Sequence, residues 1–201
     1  MLVPVKGFSA AKQRLSAVLG ADDRDRLARW LAGRVLAAVD AMTVYVACDD
    51  DDVREWADGL GARIAWGPGL GLNGAVDDGV ARIADDGFDH VVVAHADLPF
   101  PAGLARLARP GTTTLVADRR LDGTNVMSFP LARPIAASYG AGSFRRHLEA
   151  ATSGGGAVEV RTDVRLGLDI DTPHDLVHPL TSEVLPTWLP TIPVNPFTRR
   201  A

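Results

Sequence analysis

Two aspartates with one residue between them are candidates for cation binding. Asp169 and Asp171 flank Ile170 at the end of an apolar stretch. In an extended backbone, residues two apart point to the same side, so the two carboxylates converge. Converging carboxylates repel unless a cation or a proton lies between them, and carboxylate and phosphate oxygens are the ligands that Mg²⁺ prefers. The pair therefore indicates a cation site, while Asp171 alone would also suit a cap for a Pro173–Leu176 turn.

A third aspartate, Asp97, comes soon after the predicted strand His90–Ala94. In open α/β sheets, ligands bind beyond the carboxyl ends of the strands, and Asp97 occupies such a position. The structural alternative is a helix cap, because Pro99 or Pro101 could begin a helix there.

A loop of small residues follows the first predicted strand and carries three cations, Lys6, Lys12 and Arg14. Gly7 is one of the small residues that let backbone N–H groups approach a phosphate closely, while the cations neutralise its charge. The loop therefore suits a polyphosphate, although a solvated basic loop has the same appearance.

Glycines beside hydroxyl residues mark a further candidate site. Asp122–Asn125 includes Gly123 and Thr124, and Tyr139–Phe144 includes Gly140 and Ser143. Ser143 at a helix start suggests an anion pocket. Taken locally, a hairpin turn and an ordinary serine cap explain the two segments better.

Other tempting motifs carry less information. Gly69–Gly74 matches the dinucleotide-binding pattern, but no acidic residue ends a following strand at the expected distance of about 20 residues. His95, His147 and His174 do not have metal-ligand spacing. Cys48 ends an apolar run, so we expect a buried, inert thiol.

Short β-branched runs alternate with amphipathic segments along the chain. The predicted strands are Leu2–Val5, Thr43–Ala47, Arg63–Trp66, His90–Ala94, Thr113–Ala117, Val126–Phe129 and Val158–Val160. The predicted helices are Asp22–Ala41, Val53–Leu60, Asn73–Asp85 and Phe144–Ala151. This alternation predicts an α/β fold in which a mostly parallel sheet is covered by helices on both faces.

Composition excludes several classes of protein. The 201 residues carry 21 Lys and Arg against 25 Asp and Glu, and this net charge of −4 argues against a nucleic-acid partner. One cysteine excludes a disulfide framework, and no apolar run is long enough to cross a membrane. We expect a cytoplasmic protein with one domain over residues 1–178. Residues 179–201 are rich in proline, so we expect an extended tail without a helix. The tail wraps the domain or a partner subunit, as in a homodimer, or is disordered, and packing by Trp188, Leu189 and Phe197 favours the first of these alternatives.

Taken together, these segments resemble the guanylyltransferase family of coenzyme F-420 biosynthesis. That family includes the 2-phospho-L-lactate and phosphoenolpyruvate guanylyltransferases and is similar in fold to the molybdenum-cofactor nucleotidyltransferases. The resemblance extends from residue 2 to residue 176. Its matching segments are Val3–Lys6, Ala11–Leu15, Gly71–Asn73, Asp97–Pro99, Gly123–Asn125, Tyr139–Phe144 and Asp169–Pro173.

The resemblance implies a three-layer, Rossmann-like nucleotidyltransferase fold with a mostly parallel mixed sheet, and a set of site residues. Asp97, Asp169 and Asp171 would hold one or two Mg²⁺ ions. The residues expected to bind the GTP substrate are Lys6, Gly7, Lys12, Arg14, Gly71, Asn73 and Asp97, and catalysis would rest on Lys6, Lys12, Arg14 and Asp97. The residues expected to bind a phosphorylated three-carbon acid are Thr124, Asn125, Gly140 and Ser143. The sequence departs from the family in its tail and at His95, which is not a family marker.

The implied reaction is the attack of an acceptor phosphate oxygen on the α-phosphorus of GTP, with release of pyrophosphate. No general base is needed, because a phosphate oxygen is already largely ionised near neutral pH. Phosphoenolpyruvate is the preferred acceptor, and 2-phospho-L-lactate and 3-phosphoglycerate are the alternatives. A glycosyltransferase, a molybdopterin-type nucleotidyltransferase and a catalytically silent nucleotide-binding protein are the competing interpretations.

Overall fold

The computed structural model describes residues 1–39 and 42–192, which form one seven-stranded sheet with the order β3-β2-β1-β4-β6-β5-β7. Its strands are β1 (Leu2–Pro4), β2 (Tyr45–Cys48), β3 (Arg63–Trp66), β4 (His90–Ala94), β5 (Thr112–Ala117), β6 (Thr124–Pro130) and β7 (Ala157–Val160). Strand β6 runs antiparallel to β4 and β5, while the other neighbouring pairs are parallel. The predicted mixed, mostly parallel sheet is confirmed.

Helices follow most of the strands. They are α1 (Ala21–Ala37), α2 (Asp51–Gly59), α3 (Gly71–Asp85), α4 (Ser143–Ser153), α5 (Pro173–Leu176) and α6 (Pro179–Ser182). Asp50 caps α2 by accepting a hydrogen bond from the backbone N–H of Val53 at 3.1 Å. The predicted end of the first helix, at Ala41, lies outside the described residues, and α1 itself ends at Ala37. Within the described ranges, no helix has the length and apolarity needed to cross a membrane.

Alternation along the central strands separates two apolar layers. In β1, Val3 joins the layer that contains α1 and α2, while Leu2 joins the layer that contains α3 and α4. Both side chains are fully buried, and full burial of such a side chain contributes about 1.5–3 kcal/mol. The sheet is therefore sandwiched between helices, and the predicted three-layer fold is confirmed.

Helix α3 lies unusually close to the sheet. A Cβ atom at Gly79 would stand 2.7 Å from Cδ1 of Leu2, a distance that real side chains do not adopt. Packing therefore favours glycine in the middle of this helix, although glycine there makes the helix about 1 kcal/mol less stable than alanine would. This contact fixes α3, and with it Gly71 at the helix start, against β1.

The proline-rich segment is packed where the structure describes it. Trp188 and Leu189 pack against a cluster that includes Leu27 of α1, and the guanidinium of Arg26 lies 4.1 Å from the centre of the Trp188 ring. The expectation that this segment holds no helix is wrong for α6, because a proline in the first helical turn sacrifices no hydrogen bond. Residues 193–201 lie outside the described residues, and with them Pro193, Pro196 and Phe197, on which the tail prediction partly rests. The domain boundary at residue 178 and the homodimer stay predictions.

Candidate functional site

The carboxyl ends of β1, β2 and β4 open onto a cavity of about 790 Å³. Parallel strands all present their carboxyl ends at one edge of the sheet, so loops from distant parts of the chain meet there. Among the residues predicted for the site, those that line the cavity are Lys6, Lys12, Arg14, Gly71, Asp97 and Asp171.

The centre of the site is an ion-pair cluster around Lys12. Its Nζ atom donates a hydrogen bond to Oδ2 of Asp97 at 2.8 Å and lies 3.7 Å from Oδ1 of Asp171. Arg14 donates to the other oxygen of Asp171, also at 2.8 Å. The Lys12 side chain is only 9% exposed, whereas that of Arg14 is 72% exposed. Lys12 is thus a buried cation shared by two carboxylates, and Arg14 closes the cluster on the solvent side.

The backbone of Lys12 is strained. Its φ of 55° and ψ of 34° lie in the left-handed region, which residues other than Gly, Asn and Asp seldom adopt. A residue held there costs of order 1–3 kcal/mol and persists only when its surroundings fix it. Here the ion pairs fix the ammonium inside the cavity, and the following 3-10 turn, Gln13–Leu15, carries Arg14 toward Asp171.

The electrostatics of the cluster keep Lys12 and Asp97 charged. Burial lowers the pKa of Lys12, but its contact with Asp97 outweighs burial and raises the pKa overall. Burial likewise acts to raise the pKa of Asp97, and Lys12 reverses that effect so that the pKa is lowered. Asp169 makes no ion pair among the described residues: burial, then the charges of Asp97 and Asp175, raise its pKa to about 7 against the opposing charge of Lys12.

The three aspartates predicted to hold Mg²⁺ lie near one another but do not form a ligand cluster. Among the described residues, no three carboxylate, imidazole or thiol groups are arranged to hold a metal ion. Asp97 and Asp171 share Lys12 instead, and Asp169 lies outside the lining of the cavity.

One observation nevertheless fits a divalent cation. Oδ1 of Asp97 is buried with no hydrogen-bond partner among the described residues. Hard carboxylate oxygens of this kind are the ligands that Mg²⁺ prefers. The Mg²⁺ set of three aspartates stays a prediction.

Asp175, which sequence reasoning missed, fixes the segment that bears Asp171. Its Oδ2 atom accepts hydrogen bonds from the backbone N–H of Asp171 at 3.1 Å, and from the N–H and hydroxyl of Thr172 at 2.6 Å and 2.8 Å. Its other oxygen pairs with Arg119. Asp175 is therefore the acid of a capping box at the start of α5, and the spacing Thr172-x-x-Asp175 was the signal that could have found it.

Gly7 acts through its small size. A Cβ atom there would stand 2.5 Å from Oδ2 of Asp50, the residue that caps α2. Glycine thus lets the loop after β1 pass the start of α2 and carry the exposed Lys6 onto the cavity wall. Gly7 itself lies outside the lining, so its nucleotide-binding role stays a prediction.

Asn73 connects two elements instead of facing the cavity. Its Oδ1 atom accepts a hydrogen bond from the backbone N–H of Tyr139 at 2.7 Å, so it ties α3 to the segment before α4. Gly71, at the start of the same helix, does line the cavity, with a φ of +65° that favours glycine. The hydrogen bond engages the side-chain oxygen of Asn73, and its expected contact with a nucleotide stays a prediction.

The residues predicted to bind the acceptor lie outside the lining of the cavity. Ser143 Oγ accepts from the N–H of Thr124 at 3.1 Å, and Asn125 Nδ2 donates to the carbonyl of Leu166 at 2.9 Å. These three residues are buried, whereas Gly140 is exposed, and none of the four lines the cavity. Thr124, Asn125 and Ser143 therefore hold neighbouring segments together, and the acceptor-binding role of all four residues stays a prediction.

The surroundings of Thr124 and Ser143 bear on the hairpin turn and the serine cap that the sequence suggested. Thr124 begins β6 after the β5–β6 hairpin, as the turn interpretation predicted. Gly142, not Ser143, precedes the first residue of α4, so the expected serine cap is wrong. Ser143 instead bonds Thr124 from inside the helix, because the strand passes directly beneath it.

A buried histidine, His147, lies next to Thr124. The Nε2 atom of His147 accepts the backbone N–H of Ser138 at 2.9 Å, so the neutral ring must carry its proton on Nδ1, 2.9 Å from Oγ1 of Thr124. Burial lowers the pKa of His147 to about 4, and the neighbouring Arg146 acts in the same direction. His147 is thus a neutral structural group at neutral pH.

Comparison with known proteins gives consistent results. Residues 1–181 match the model of a family described as "Guanylyl transferase CofC like". Phosphoenolpyruvate guanylyltransferases of Sphaerobacter thermophilus and Rubrobacter xylanophilus are both 36% identical to this chain, over 87% of it and 89% and 90% of their own lengths. The 2-phospho-L-lactate guanylyltransferase of Methanothermobacter thermautotrophicus is 32% identical, over 87% of this chain and 81% of that protein.

Solved structures share the fold. A nucleotide-diphospho-sugar transferase structure from Desulfovibrio desulfuricans G20 covers 87% of this chain and 83% of its own, with a TM-score of 0.73 and 20% identity. A nucleotidyl transferase of Methanothermobacter covers 87% of this chain and 94% of its own, with a TM-score of 0.57 and 17% identity. At these identities the likeness extends to the fold alone.

Proposed function

The chain belongs to the family of CofC-like guanylyl transferases, and we propose that it transfers GMP from GTP to the phosphate of phosphoenolpyruvate, releasing pyrophosphate, in coenzyme F-420 biosynthesis. The observation that carries the proposal is the cluster of Lys12, Arg14, Asp97 and Asp171 on the wall of a cavity large enough for a nucleotide. A polyphosphate needs fixed cations, and a divalent ion that accompanies it needs carboxylates. The cluster offers both.

The cations of the loop after β1 line one side of the cavity, and the triphosphate would bind there. Lys6, Lys12 and Arg14 all line it, and each offers N–H groups to phosphate oxygens. Attack at the α-phosphorus brings two polyanions together in line, so positioning and charge neutralisation are the main catalytic tasks. Lys12 suits this task best, because its ammonium is buried and therefore poorly screened.

Asp97 and Asp171, with Asp169 beside them, would hold Mg²⁺, which when bound neutralises phosphate charge that develops during the transfer. Asp97 contributes Oδ1, which has no hydrogen-bond partner in the part of the chain that the structure describes. Arg119 and Asp175 act indirectly, since their ion pair fixes the segment on which Asp171 lies.

The chain needs no general base to remove a proton from the acceptor phosphate. The acceptor phosphate has a second pKa of about 6, so its oxygen is already ionised at neutral pH. Both ring nitrogens of His147 are hydrogen-bonded, to the backbone of Ser138 and the hydroxyl of Thr124, which agrees with a mechanism in which this histidine takes no proton.

We propose phosphoenolpyruvate as the acceptor because two of the curated relatives, each 36% identical, carry that name, while the 2-phospho-L-lactate enzyme described above is 32% identical. The two acids carry the same charged groups, and such a small difference in shape is worth about 1–3 kcal/mol in selectivity. We place the reaction in the cytoplasm, with small molecules as the only substrates.

The test is an assay of pyrophosphate release. The purified chain is mixed with Mg²⁺ and GTP, and phosphoenolpyruvate, 2-phospho-L-lactate or 3-phosphoglycerate is added in turn. We expect release that depends on the acid, with the highest kcat/KM for phosphoenolpyruvate, and a new phosphorus–phosphorus coupling in the ³¹P NMR spectrum. ATP and CTP serve as matched nucleotide controls. Absence of release with all three acids, or a product formed from a nucleotide sugar, would overturn the proposal.

A further inference from the structure

Two polar atoms beside the cavity are buried without a hydrogen-bond partner among the described residues. They are Nε2 of His95 and the hydroxyl oxygen of Tyr139. Buried nitrogen and oxygen atoms are nearly always paired, because an unpaired one loses its hydration without replacement. Two such atoms on neighbouring side chains therefore indicate that a bond is missing which a ligand could supply.

The two rings form one unit. His95 lies one residue beyond the end of β4 and lines the cavity. Its ring centre is 4.8 Å from that of Tyr139, and Tyr139 in turn packs edge-on against His147 at 5.0 Å. Tyr139 is only 8% exposed, and its backbone N–H is bonded to Asn73. Tyr139 is therefore fixed from two sides, and His95 lies between it and the cavity.

The His95 ring has freedom that its neighbours lack. Its backbone N–H is bonded to the carbonyl of Asn125 at 3.1 Å, but within the described ranges its ring makes no hydrogen bond. Turning the ring toward the cavity breaks no side-chain bond, and it gains one if an acceptor atom is there. A ligand oxygen bound by this ring would satisfy a group that is otherwise unsatisfied.

The position of His95 points to one part of one substrate, if the proposed function holds. It lies two residues before Asp97, whereas the three cations of the site come from the loop after β1. The phosphate of the acceptor must reach the cluster of Lys12 and Asp97 to meet the nucleotide. Its carboxylate is then directed to another part of the wall and needs a hydrogen-bond donor there.

We propose that His95 binds the carboxylate of the phosphorylated three-carbon acid, and that Tyr139 is a positioning residue for the His95 ring. His95 is thus a binding residue for the acceptor. It acts by binding the acceptor equally in the ground state and in the transition state. Its loss therefore raises the KM of the acceptor and leaves kcat nearly unchanged.

The experiment compares steady-state kinetics of His95→Phe, His95→Gln, Tyr139→Phe and Tyr139→Leu with the wild type, varying GTP and the acid separately. We expect His95→Phe to raise the KM of the acid by about tenfold or more, as for a lost hydrogen bond to a charged group, with the KM of GTP within about twofold. His95→Gln retains an N–H donor and should recover part of the loss. Tyr139→Phe retains the ring that packs on His95 and should leave the same KM within about twofold, whereas Tyr139→Leu removes that ring, should raise this KM less than His95→Phe does, and should add nothing to His95→Phe. His174→Gln, an exposed histidine, is the matched control.

Isopropyl phosphate identifies the group that is bound, because a methyl group replaces the carboxylate of 2-phospho-L-lactate in it. Its inhibition constant against the acid should be the same in the wild type and in His95→Phe. An unchanged acid KM in His95→Phe, an equal rise in the KM of GTP, or equally weakened binding of isopropyl phosphate overturns the inference. If His95→Phe does not fold, His95→Asn replaces it under the same criteria. If the wild type transfers GMP to none of the acids, the proposed function itself fails, which is a separate result.

Discussion

Replacement of Lys12 by methionine tests the ion-pair cluster directly. Lys12 Nζ and Asp97 Oδ2 are 2.8 Å apart, and the two side chains are only 9% and 19% exposed. At an effective dielectric constant of about 20, the attraction at that distance is about 6 kcal/mol. Desolvation offsets part of it, and removal of one partner from a buried pair costs about 3–5 kcal/mol. We expect the lower end, about 3 kcal/mol, because Asp171 is 36% exposed and its contribution is screened by solvent.

The assay is urea unfolding without nucleotide, at pH 7.5, followed by the fluorescence of the four tryptophans. With a slope near the upper end of the usual 1–3 kcal/mol per molar, the midpoint of Lys12→Met should fall by about 1 M. Lys6→Met is the matched control, since Lys6 lies on the same loop but is exposed. Its free energy of unfolding should stay within about 0.5 kcal/mol of that of the wild type.

A second substitution separates charge from packing. In Lys12→Met, Asp97 is a buried carboxylate without a counter-charge, so adding Asp97→Asn should recover most of the lost stability. The pH dependence has the same cause. In the wild type the pKa of Asp97 is lowered on folding, so its contribution is present above its unfolded pKa and is lost as the pH falls through the folded value. Without Lys12, burial raises that pKa above its unfolded value, so the stability deficit should shrink as the pH is lowered. A deficit below about 0.5 kcal/mol, or a double variant no more stable than Lys12→Met, would refute the reasoning.

Three further outcomes are expected. Asp171→Ala should abolish pyrophosphate release while circular dichroism shows a folded domain; full activity would contradict the role of this carboxylate. Gly7→Ala should destabilise the chain by about 1–3 kcal/mol, since the new Cβ meets Asp50 at 2.5 Å, whereas Gly59→Ala, whose new Cβ meets no atom within 4 Å, should not destabilise it. His147 has a folded pKa of about 4, below its unfolded value of about 6.5, so the stability it contributes is complete above pH 6.5 and is lost toward pH 4. His147→Gln should remove that slope in unfolding measured across this range, and an unchanged slope would show that another group titrates.

The elements of the fold could be predicted from the sequence because their signals are local. A β-branched run such as His90–Ala94 and the spacing of Leu27, Leu31 and Val35 each identify an element without knowledge of its neighbours. The position of β6 between β4 and β5 could not be predicted, because pairing between strands leaves no periodic signal in either strand. The start of α6 at Pro179 was missed because proline density was read as extended chain, although proline fits the first helical turn.

The site was predictable to the extent that topology determines it. Lys12 and Asp97 follow strands whose carboxyl ends meet at one edge, so their proximity follows from the fold. The partners of single polar side chains do not follow in this way. Asn73 and Ser143 have the composition expected of ligand-binding loops, yet each is bonded to a backbone N–H of a neighbouring segment. A short polar side chain has the same sequence signature in either role, because geometry at the scale of one hydrogen bond decides between them.

The pairing of the cations with the carboxylates was likewise not predictable from the sequence. The sequence presents the basic loop and the aspartates as separate groups with different ligands, since 85 residues separate Lys12 from Asp97. The structure joins them, and the strained backbone of Lys12 shows that its ammonium is directed to this place rather than left in solvent. Arg14 and Asp171 repeat the arrangement at the solvent side. A nucleotide that enters the cavity therefore meets cations already shared with carboxylates, and its phosphates must compete with Asp97 and Asp171 for Lys12 and Arg14.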